Sequence, residues 1–224
     1  MFVSCEKDII DSSRKLTPEP FVQIQLSDAF DVFLTEGNEY SIEIIGDAEM
    51  ISYVDLSVNS KVLTIQSSKK FKWLSPEKNK TEIYVTSPPL EKVSAAEGCN
   101  IQTLSPITSI QFGLVLQGKS NQASLELDGK AFYYWNDFPS GGKLTLTGNT
   151  ETLKIWNFAL MSVDAKNLTA KNAVVENGSK GDCEVYVTNK LQYKITEEGN
   201  IHLYGNPLEI IENGLSSSGR LIQH

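Results

Sequence analysis

The fold is decided by a set of five short segments in the second half of the chain: Leu114-Val115-Leu116, Phe132-Tyr133-Tyr134, Leu153-Lys154-Ile155, Ala173-Val174-Val175 and Leu191-Gln192-Tyr193. A second set interleaves with the first and reads Leu125-Glu126-Leu127, Leu144-Thr145-Leu146, Val163-Asp164-Ala165, Val185-Tyr186-Val187 and Ile201-His202-Leu203. Within each set the segments return at intervals of about 20 residues, which is the signature of a repeat architecture. Turn residues such as Gly129, Gly148 and Gly205 follow many of them.

A segment with an apolar, a variable and an apolar residue cannot bury its apolar side chains alone. Coils that stack on one another give those side chains a shared interior. The repeat therefore predicts an all-β fold, a right-handed parallel β-helix (β-solenoid) with coils of about 20 residues. The alternative is an antiparallel β-sandwich, which also has short strands and frequent turns. The regular spacing favours the solenoid.

The first half of the chain shows the same alternation without a clear repeat. Residues 21–26 and 30–34 are typical of half-buried strands, and residues 56–58 and 62–65 predict a hairpin around Asn59-Ser60-Lys61. Residues 48–53 predict a short helical turn, and residues 67–80 an exposed loop. We therefore divide the chain into an N-terminal segment, 1–20, and one domain, 21–224, made of N-terminal strands (21–106) and repeated coils (107–224). Whether those first strands continue the solenoid stays open at this point.

Composition excludes several classes of function. The net charge of −8 and a pI near 4.9 oppose binding to nucleic acid, which needs clustered Lys and Arg. No apolar run is long enough to span a bilayer as a helix.

The three cysteines, Cys5, Cys99 and Cys183, are far apart and form no CxxC or Cys/His pattern, so neither a metal site nor a cofactor is expected. Cys99 and Cys183 adjoin strand segments and are predicted to be small buried apolar groups. A disulfide between them would require the fold to bring them together.

Cys5 has a different setting, since Phe2-Val3-Ser4 places apolar and then small residues before its thiol. This pattern resembles the lipobox of a bacterial lipoprotein signal peptide, in which the cysteine is lipidated and becomes the mature N-terminus. Glu6-Lys7-Asp8 resembles the tract that follows this cysteine in surface lipoproteins of Bacteroidetes. The resemblance implies a lipid anchor on Cys5 and a tether over residues 6–20, with a signal sequence upstream of Met1. The alternative is an unstructured tail with an incidental cysteine.

Several phrases occur in a fixed order along the chain: Phe30-Asp31-Val32-Phe33-Leu34-Thr35-Glu36-Gly37, Pro89-Leu90-Glu91-Lys92-Val93 through Gly98, the Leu-x-Leu-x-Gly coils and Tyr204-Gly205-Asn206-Pro207. Together they resemble the GIN domain, also called the putative auto-transporter adhesin head domain, which occurs chiefly in Bacteroidetes. The resemblance covers roughly Phe21 to the C-terminus. It implies a β-helical envelope protein, in many members a lipoprotein, without enzymatic activity. This chain departs from the family where Gln117-Gly118-Lys119-Ser120 replaces a Gly-Ser-Gly corner.

Catalytic groups are sparse in the predicted coils. Polysaccharide lyases and hydrolases with this fold need clustered carboxylates, or a calcium site with a nearby base. Asp164 and His202 lie in strand segments, but the aligned segments predict no carboxylate ladder beside either. Both arginines, Arg14 and Arg220, lie far out in the termini and outside the aligned strand segments, which excludes a guanidinium base or phosphate clamp among those segments. The sequence therefore predicts a protein that is not an enzyme, with His202 an ordinary strand residue.

The alternation of inward and outward side chains instead indicates a binding surface. If Tyr134 points inward, then Trp135 and Trp156 point outward on successive coils, with Tyr133 and Lys154 as a second outward pair. Exposed aromatic side chains often mark an interaction site, and sugar rings stack on them. The alternative is that the N-terminal strands, the loop with Phe138-Pro139 or a second subunit covers the two indoles.

Three functions remain open on these grounds. The first is an adhesin-like lipoprotein that binds a glycan, or an envelope or host protein, and is anchored to the outer membrane on its periplasmic or outer surface. The second is a structural envelope protein with a protein partner, and the third is a polysaccharide lyase or hydrolase. In each case membrane contact is expected only through a lipid on Cys5.

Overall fold

The computed structural model describes residues 11–70, 80–137 and 139–224. Cys5, Phe71, Trp73 and Phe138 lie outside the described residues, as does most of the predicted 67–80 loop. The elements are β1 (Asp11–Leu16), β2 (Gln23–Leu26), β3 (Asp31–Glu36), β4 (Ser41–Asp47), α1 (Ala48–Ser52), β5 (Val54–Asn59), β6 (Val62–Ser67), β7 (Thr81–Ser87), β8 (Lys92–Ala95), β9 (Asn100–Thr103), β10 (Gln111–Leu116), β11 (Asn121–Asn136), β12 (Gly141–Ser179), β13 (Cys183–Ile195), β14 (Ile201–Tyr204), β15 (Glu209–Leu215) and β16 (Leu221–Gln223). No described helix is long and apolar enough to cross a membrane.

Successive coils pair in parallel and form a β-solenoid of about six turns with a repeat near 21 residues. The long strands β11, β12 and β13 bend at the corners, so each contributes to two rows of strands. The first row contains β3, β9, the first part of β11 and later β14 and β16. The second row contains β2, β8, β10, the last part of β11 and later β15. This parallel pairing confirms the predicted solenoid and contradicts the sandwich.

Inward side chains from every coil fill one continuous core. Leu114, Tyr134 and Ile155 occupy one inward column of the second row, and each is fully buried. Burial of such apolar side chains contributes about 1.5 to 3 kcal/mol each, and no single coil gains this alone. The core therefore exists only when coils stack.

The register between coils differs by two residues from the sequence alignment at several places. Phe132 pairs with Leu153 as predicted, but Leu114 pairs with Tyr134 rather than with Phe132. Likewise Val185 pairs with Leu203 rather than with Ile201. A shift of two preserves which side chains face inward, because side chains alternate with a period of two, but it changes every outward neighbour.

The N-terminal strands continue the same solenoid. β2 pairs in parallel with β8, and β3 pairs in parallel with β9. At that end of the stack β4 pairs antiparallel with β7, and the predicted hairpin of β5 and β6 is present. These antiparallel strands close the end of the sheet.

One part of the predicted tether is wrong, since residues 11–16 form β1 and pair antiparallel with β4. The sequence of β1 is mostly polar, and only Leu16 packs against the core. Its stability comes from backbone hydrogen bonds to an otherwise open sheet edge, which side-chain patterns do not report.

Cys99 and Cys183 are buried and free, as predicted. Removal from water raises the pKa of Cys99 to about 11, and the same cause raises that of Cys183. Both thiols therefore stay protonated and behave as small apolar groups of the core.

Corners of the coils depend on buried amides and on glycine. Asn136, Asn157 and Asn177 are fully buried at one corner. The Nδ2 group of Asn157 donates to the carbonyl oxygen of Met161 and to Oδ1 of Asn177, each over 2.9 Å. The Nδ2 group of Asn136 donates to the carbonyl oxygen of Phe158 over 2.8 Å. These bonds satisfy polar groups that the turning chain would otherwise leave buried without partners.

We predict that Gly148→Ala destabilises the solenoid. Gly148 has φ +100°, and an added Cβ would lie 2.1 Å from the carbonyl oxygen of Leu127 on the neighbouring coil. The strained backbone and the clash with main-chain atoms should cost at least about 1 to 3 kcal/mol, measured as a lower urea midpoint. Gly141→Ala is the control, because its nearest non-neighbouring atom would be 3.1 Å away and its φ lies outside the left-handed region. Equal losses in both variants would contradict this explanation.

Candidate functional site

The four residues predicted as a binding platform form one block on the outer side of the second row. The parallel register places Tyr133 beside Lys154 and Trp135 beside Trp156. Neighbouring strands lie about 4.8 Å apart, so each pair presents adjacent side chains. Tyr134 lies between Tyr133 and Trp135 in the strand and is fully buried, so both of these neighbours point outward. We call Tyr133, Trp135, Lys154 and Trp156 the aromatic block.

Both indoles of the aromatic block are partly exposed. Among the residues that the structure describes, neither indole makes a contact with another aromatic ring. One proposed cover for the two indoles is the N-terminal strands. Of these, β8 and β2 continue the same row of strands beyond β10. A second proposed cover is the loop with Phe138-Pro139. Its Pro139 is exposed, and Phe138 lies outside the described residues.

A glycine on the preceding coil creates a notch for Tyr133. Gly113 pairs with Tyr133, and a Cβ on Gly113 would fall 1.9 Å from Cζ of the tyrosine ring. The ring therefore lies across the glycine and reaches toward the coil that carries Lys92, which pairs with Gly113 from the other side. Burial, followed by the charge of Glu91, raises the pKa of Tyr133 above its ordinary value.

Tyr133 forms one wall of a groove of about 630 Å³ at the edge of the second row. The other walls include Glu91, Lys92, Gln111 and Ile110, and Ile110 is 76% exposed. The sequence reasoning missed these residues, although Lys92 stands about one coil before Gly113. Extending the repeat of about 20 residues into the first half of the chain would have found them.

Charged residues bound the aromatic block on its other side. The side chains of Asn157 and Asn177, 20 residues apart, are hydrogen-bonded to each other. Glu176 follows Trp156 by the same 20 residues and therefore lies on the next coil. Its carboxylate binds Nζ of Lys194 on the next coil over 2.7 Å. The outer side of the second row thus changes from aromatic to ionic along the solenoid.

A carboxylate ladder exists on the outer side of the first row, and this corrects the sequence-based expectation. Asp164 pairs with Glu184, and Glu184 pairs with His202. The sequence alignment of the coils places Tyr186 beside His202 instead, so the shift of two residues conceals the ladder. Correct register was needed to see it.

Lysines neutralise this ladder. Nζ of Lys143 lies 3.0 Å from Oδ2 of Asp164, and Nζ of Lys166 lies 2.9 Å from Oε2 of Glu184. Burial opposes ionisation of Asp164, but the hydrogen bond from Lys143 and the charges of Lys143 and Lys166 outweigh it, so the pKa of Asp164 lies below its ordinary value. A hydrolase that acts on glycosides needs a carboxyl group with a raised pKa as general acid, and Asp164 is the opposite.

Comparison with protein families gives a match over most of the chain. The family model described as putative auto-transporter adhesin, head GIN domain, matches residues 20–207, and this confirms the resemblance found in the sequence. No curated protein matches the sequence.

Solved structures share the fold at low sequence identity. A putative adhesin from Bacteroides fragilis is 16% identical with a TM-score of 0.89, covering 97% of this chain and 98% of that one. A putative adhesin from Parabacteroides merdae is 18% identical with a TM-score of 0.64, covering 96% of each chain. A putative lipid binding protein from Parabacteroides distasonis is 16% identical with a TM-score of 0.68, again covering 96% of each chain.

We predict that Asp164 stabilises the fold at neutral pH and not in acid. Its pKa is lower in the folded chain than the value of about 3.9 expected when unfolded, so its contribution is present above that value and is lost as the pH falls through the folded one. Asp164→Asn should therefore be less stable than the wild type at pH 7, with the difference closing below about pH 4. Urea unfolding across this range measures it. Asp55→Asn, at an exposed site on β5, is the control, and a difference for Asp164→Asn that is independent of pH would contradict the ionic origin.

Proposed function

This chain belongs to the family described as putative auto-transporter adhesin, head GIN domain, and from that premise we propose that it is an adhesin-like, non-enzymatic protein of the cell envelope that binds a carbohydrate through the aromatic block. The observation that carries the proposal is the pairing of two partly exposed indoles on adjacent coils. A parallel sheet gives them a rigid and nearly flat support. Rigid elements hold a binding site more accurately than loops do.

A sugar ring suits the chemistry of the aromatic block. Its C–H faces stack on an indole, and its hydroxyl groups need hydrogen-bonding partners beside the rings. Lys154 lies within the block, and the carboxylate of Glu176, one repeat after Trp156, is bonded to Lys194 on the coil beyond it. Protein interfaces are usually poor in Lys and Glu, which favours a carbohydrate over a protein as the ligand.

The groove beside Tyr133 supports the same ligand class. Glu91, Lys92 and Gln111 supply charged and amide groups along its wall. Such a wall suits a polar chain that runs from the groove to the indoles, and an acyl chain would leave these groups without water or partners. A lipid ligand is therefore the less favoured alternative.

Non-enzymatic binding is further supported by the charge state of the first row. Asp164 and Glu184 are each bonded to a lysine, and the pKa of Asp164 is lowered. A carboxylate that stays ionised cannot donate a proton to a leaving group at neutral pH. The ladder reads as an ion-pair network that strengthens the stacking of coils.

We predict that Trp135→Ala and Trp156→Ala each weaken glycan binding at least about tenfold, which corresponds to about 1.4 kcal/mol. Each substitution removes one stacking surface. A glycan array identifies a ligand for the wild type, and calorimetry compares the variants. Phe33→Ala is the matched control, because Phe33 is a partly exposed aromatic residue of the first row that already stacks on Tyr84 with ring centroids 4.6 Å apart.

Two outcomes would count against this site. Binding that survives the replacement of both tryptophans places the ligand elsewhere on the chain. In a Trp73→Phe background only the two indoles of the block fluoresce, and failure of acrylamide to quench them would show that the block is covered.

The envelope location is proposed to depend on lipidation of Cys5. We expect the chain, expressed from its own gene in a Bacteroidetes host, to fractionate with the outer membrane and to incorporate a labelled fatty acid. Cys5→Ala should release the chain from the membrane and abolish the label. Ser4→Ala keeps the thiol and is the control. A Cys5→Ala chain that remains in the membrane fraction and is processed normally would remove the anchor from the proposal.

A further inference from the structure

The two histidines of the chain, 22 positions apart in sequence, meet at the C-terminal end of the first row. β14 pairs in parallel with β16, and His224 continues this pairing through its backbone N–H, which donates to the carbonyl oxygen of Leu203 over 3.0 Å. Nδ1 of His202 lies 3.0 Å from Nε2 of His224. The two rings are inclined by only 25°, with centroids 5.3 Å apart.

Neighbouring side chains orient both rings. Oδ2 of Asp182 lies 3.4 Å from Nε2 of His202, on the far side of the ring from His224. A carboxylate there favours the proton on Nε2 and leaves the lone pair of Nδ1 available to the shared space. The ring of Tyr204 stacks on His224 at 4.5 Å with an inclination of 8°.

We propose that His202 and His224 together bind one divalent transition-metal ion of the kind that prefers imidazole, such as Zn²⁺, Ni²⁺ or Cu²⁺. Two metal–nitrogen bonds of about 2.0 to 2.1 Å at cis positions need nitrogen atoms about 2.9 to 3.4 Å apart, and the pair meets this requirement. A carboxylate behind a metal-binding histidine is the usual outer-shell arrangement, and Asp182 supplies it. Imidazole ligands exclude Ca²⁺ and Mg²⁺, which select oxygen.

The protein supplies two ligands and leaves the other coordination positions open. Within residues 11–70, 80–137 and 139–224, no cluster of three or more His, Cys, Asp or Glu side chains has a geometry for a metal. Glu184, directly across from His202, and Asp182 add negative charge that favours a cation. The open positions belong to water or to a donor group of a bound molecule. The site lies on the first row, so it is independent of the aromatic block.

The test is calorimetric titration of the tag-free chain with Zn²⁺ and with Ni²⁺, in a Cys5→Ser background that removes the one thiol other than buried Cys99 and Cys183. We expect one equivalent to bind. His202→Gln and His224→Gln should each weaken binding by more than about tenfold. Since these are the only histidines in the chain, Cu²⁺ bound to it should show a paramagnetic-resonance spectrum with coupling to two imidazole nitrogens, and to one in either variant.

Asp182→Asn separates a metal site from a simple hydrogen bond between the rings. The amide oxygen can still accept the backbone N–H of Asn200, which Oδ1 of Asp182 now accepts over 2.7 Å, but the amide cannot hold the proton of Nε2. We expect affinity to fall by about 10- to 100-fold with the fold intact by circular dichroism. Asp55→Asn is the control and should bind as the parent does. Absence of saturable binding, or binding unchanged in both histidine variants, would overturn the proposal.

Discussion

In-register parallel pairing between successive coils is the constraint on which the rest of this protein depends. A coil of about 20 residues has too little apolar surface to fold alone, so its strands acquire a core only by lying on the previous coil. Pairing fixes two things together, because inward side chains enter the core and outward side chains form columns that run along the solenoid. The surface is thus a consequence of the same hydrogen bonds that build the interior.

Each outward column carries its own chemistry. On the second row the column passes from Val115 through Trp135 and Trp156, and the ion pair of Glu176 and Lys194 adjoins it. On the first row a column is formed by Asp164, Glu184 and His202. Lysines form ion pairs with its two carboxylates, and the column ends where His202 meets His224. Two candidate sites of different chemistry are therefore held on separate sides of one rigid stack, where a ligand at one need not disturb the other.

The two ends of the stack are built differently. Antiparallel strands close the N-terminal end, where β1 pairs with the edge of β4 and β5 pairs with the edge of β6. At the other end β15 and β16 form the last coil. There Glu212 pairs with buried Tyr193 of the preceding coil, and the hydroxyl of Tyr193 donates to its carboxylate over 2.6 Å. A polar residue at an inward position is what a terminal coil requires, since one of its sides faces water. The fold shared with structures only 16 to 18% identical fits this view, because a stack of coils needs the inward pattern and leaves the outward residues free to vary.

The sequence by itself determined the parallel solenoid, the inward and outward assignment of residues such as Tyr134 and Trp135, and the burial of Cys99 and Cys183. These follow from a period of two along the strand and a repeat near 20, both of which are local patterns. Tertiary structure alone decided the register, the β1 strand, the Gly113 notch for Tyr133, the ladder of Asp164 with Glu184, and the meeting of His202 with His224. The physical reason is that a shift of two residues in the pairing leaves the inward apolar pattern almost unchanged. Only the packing of whole coils, with their corner amides and glycines, therefore selects which outward side chains become neighbours.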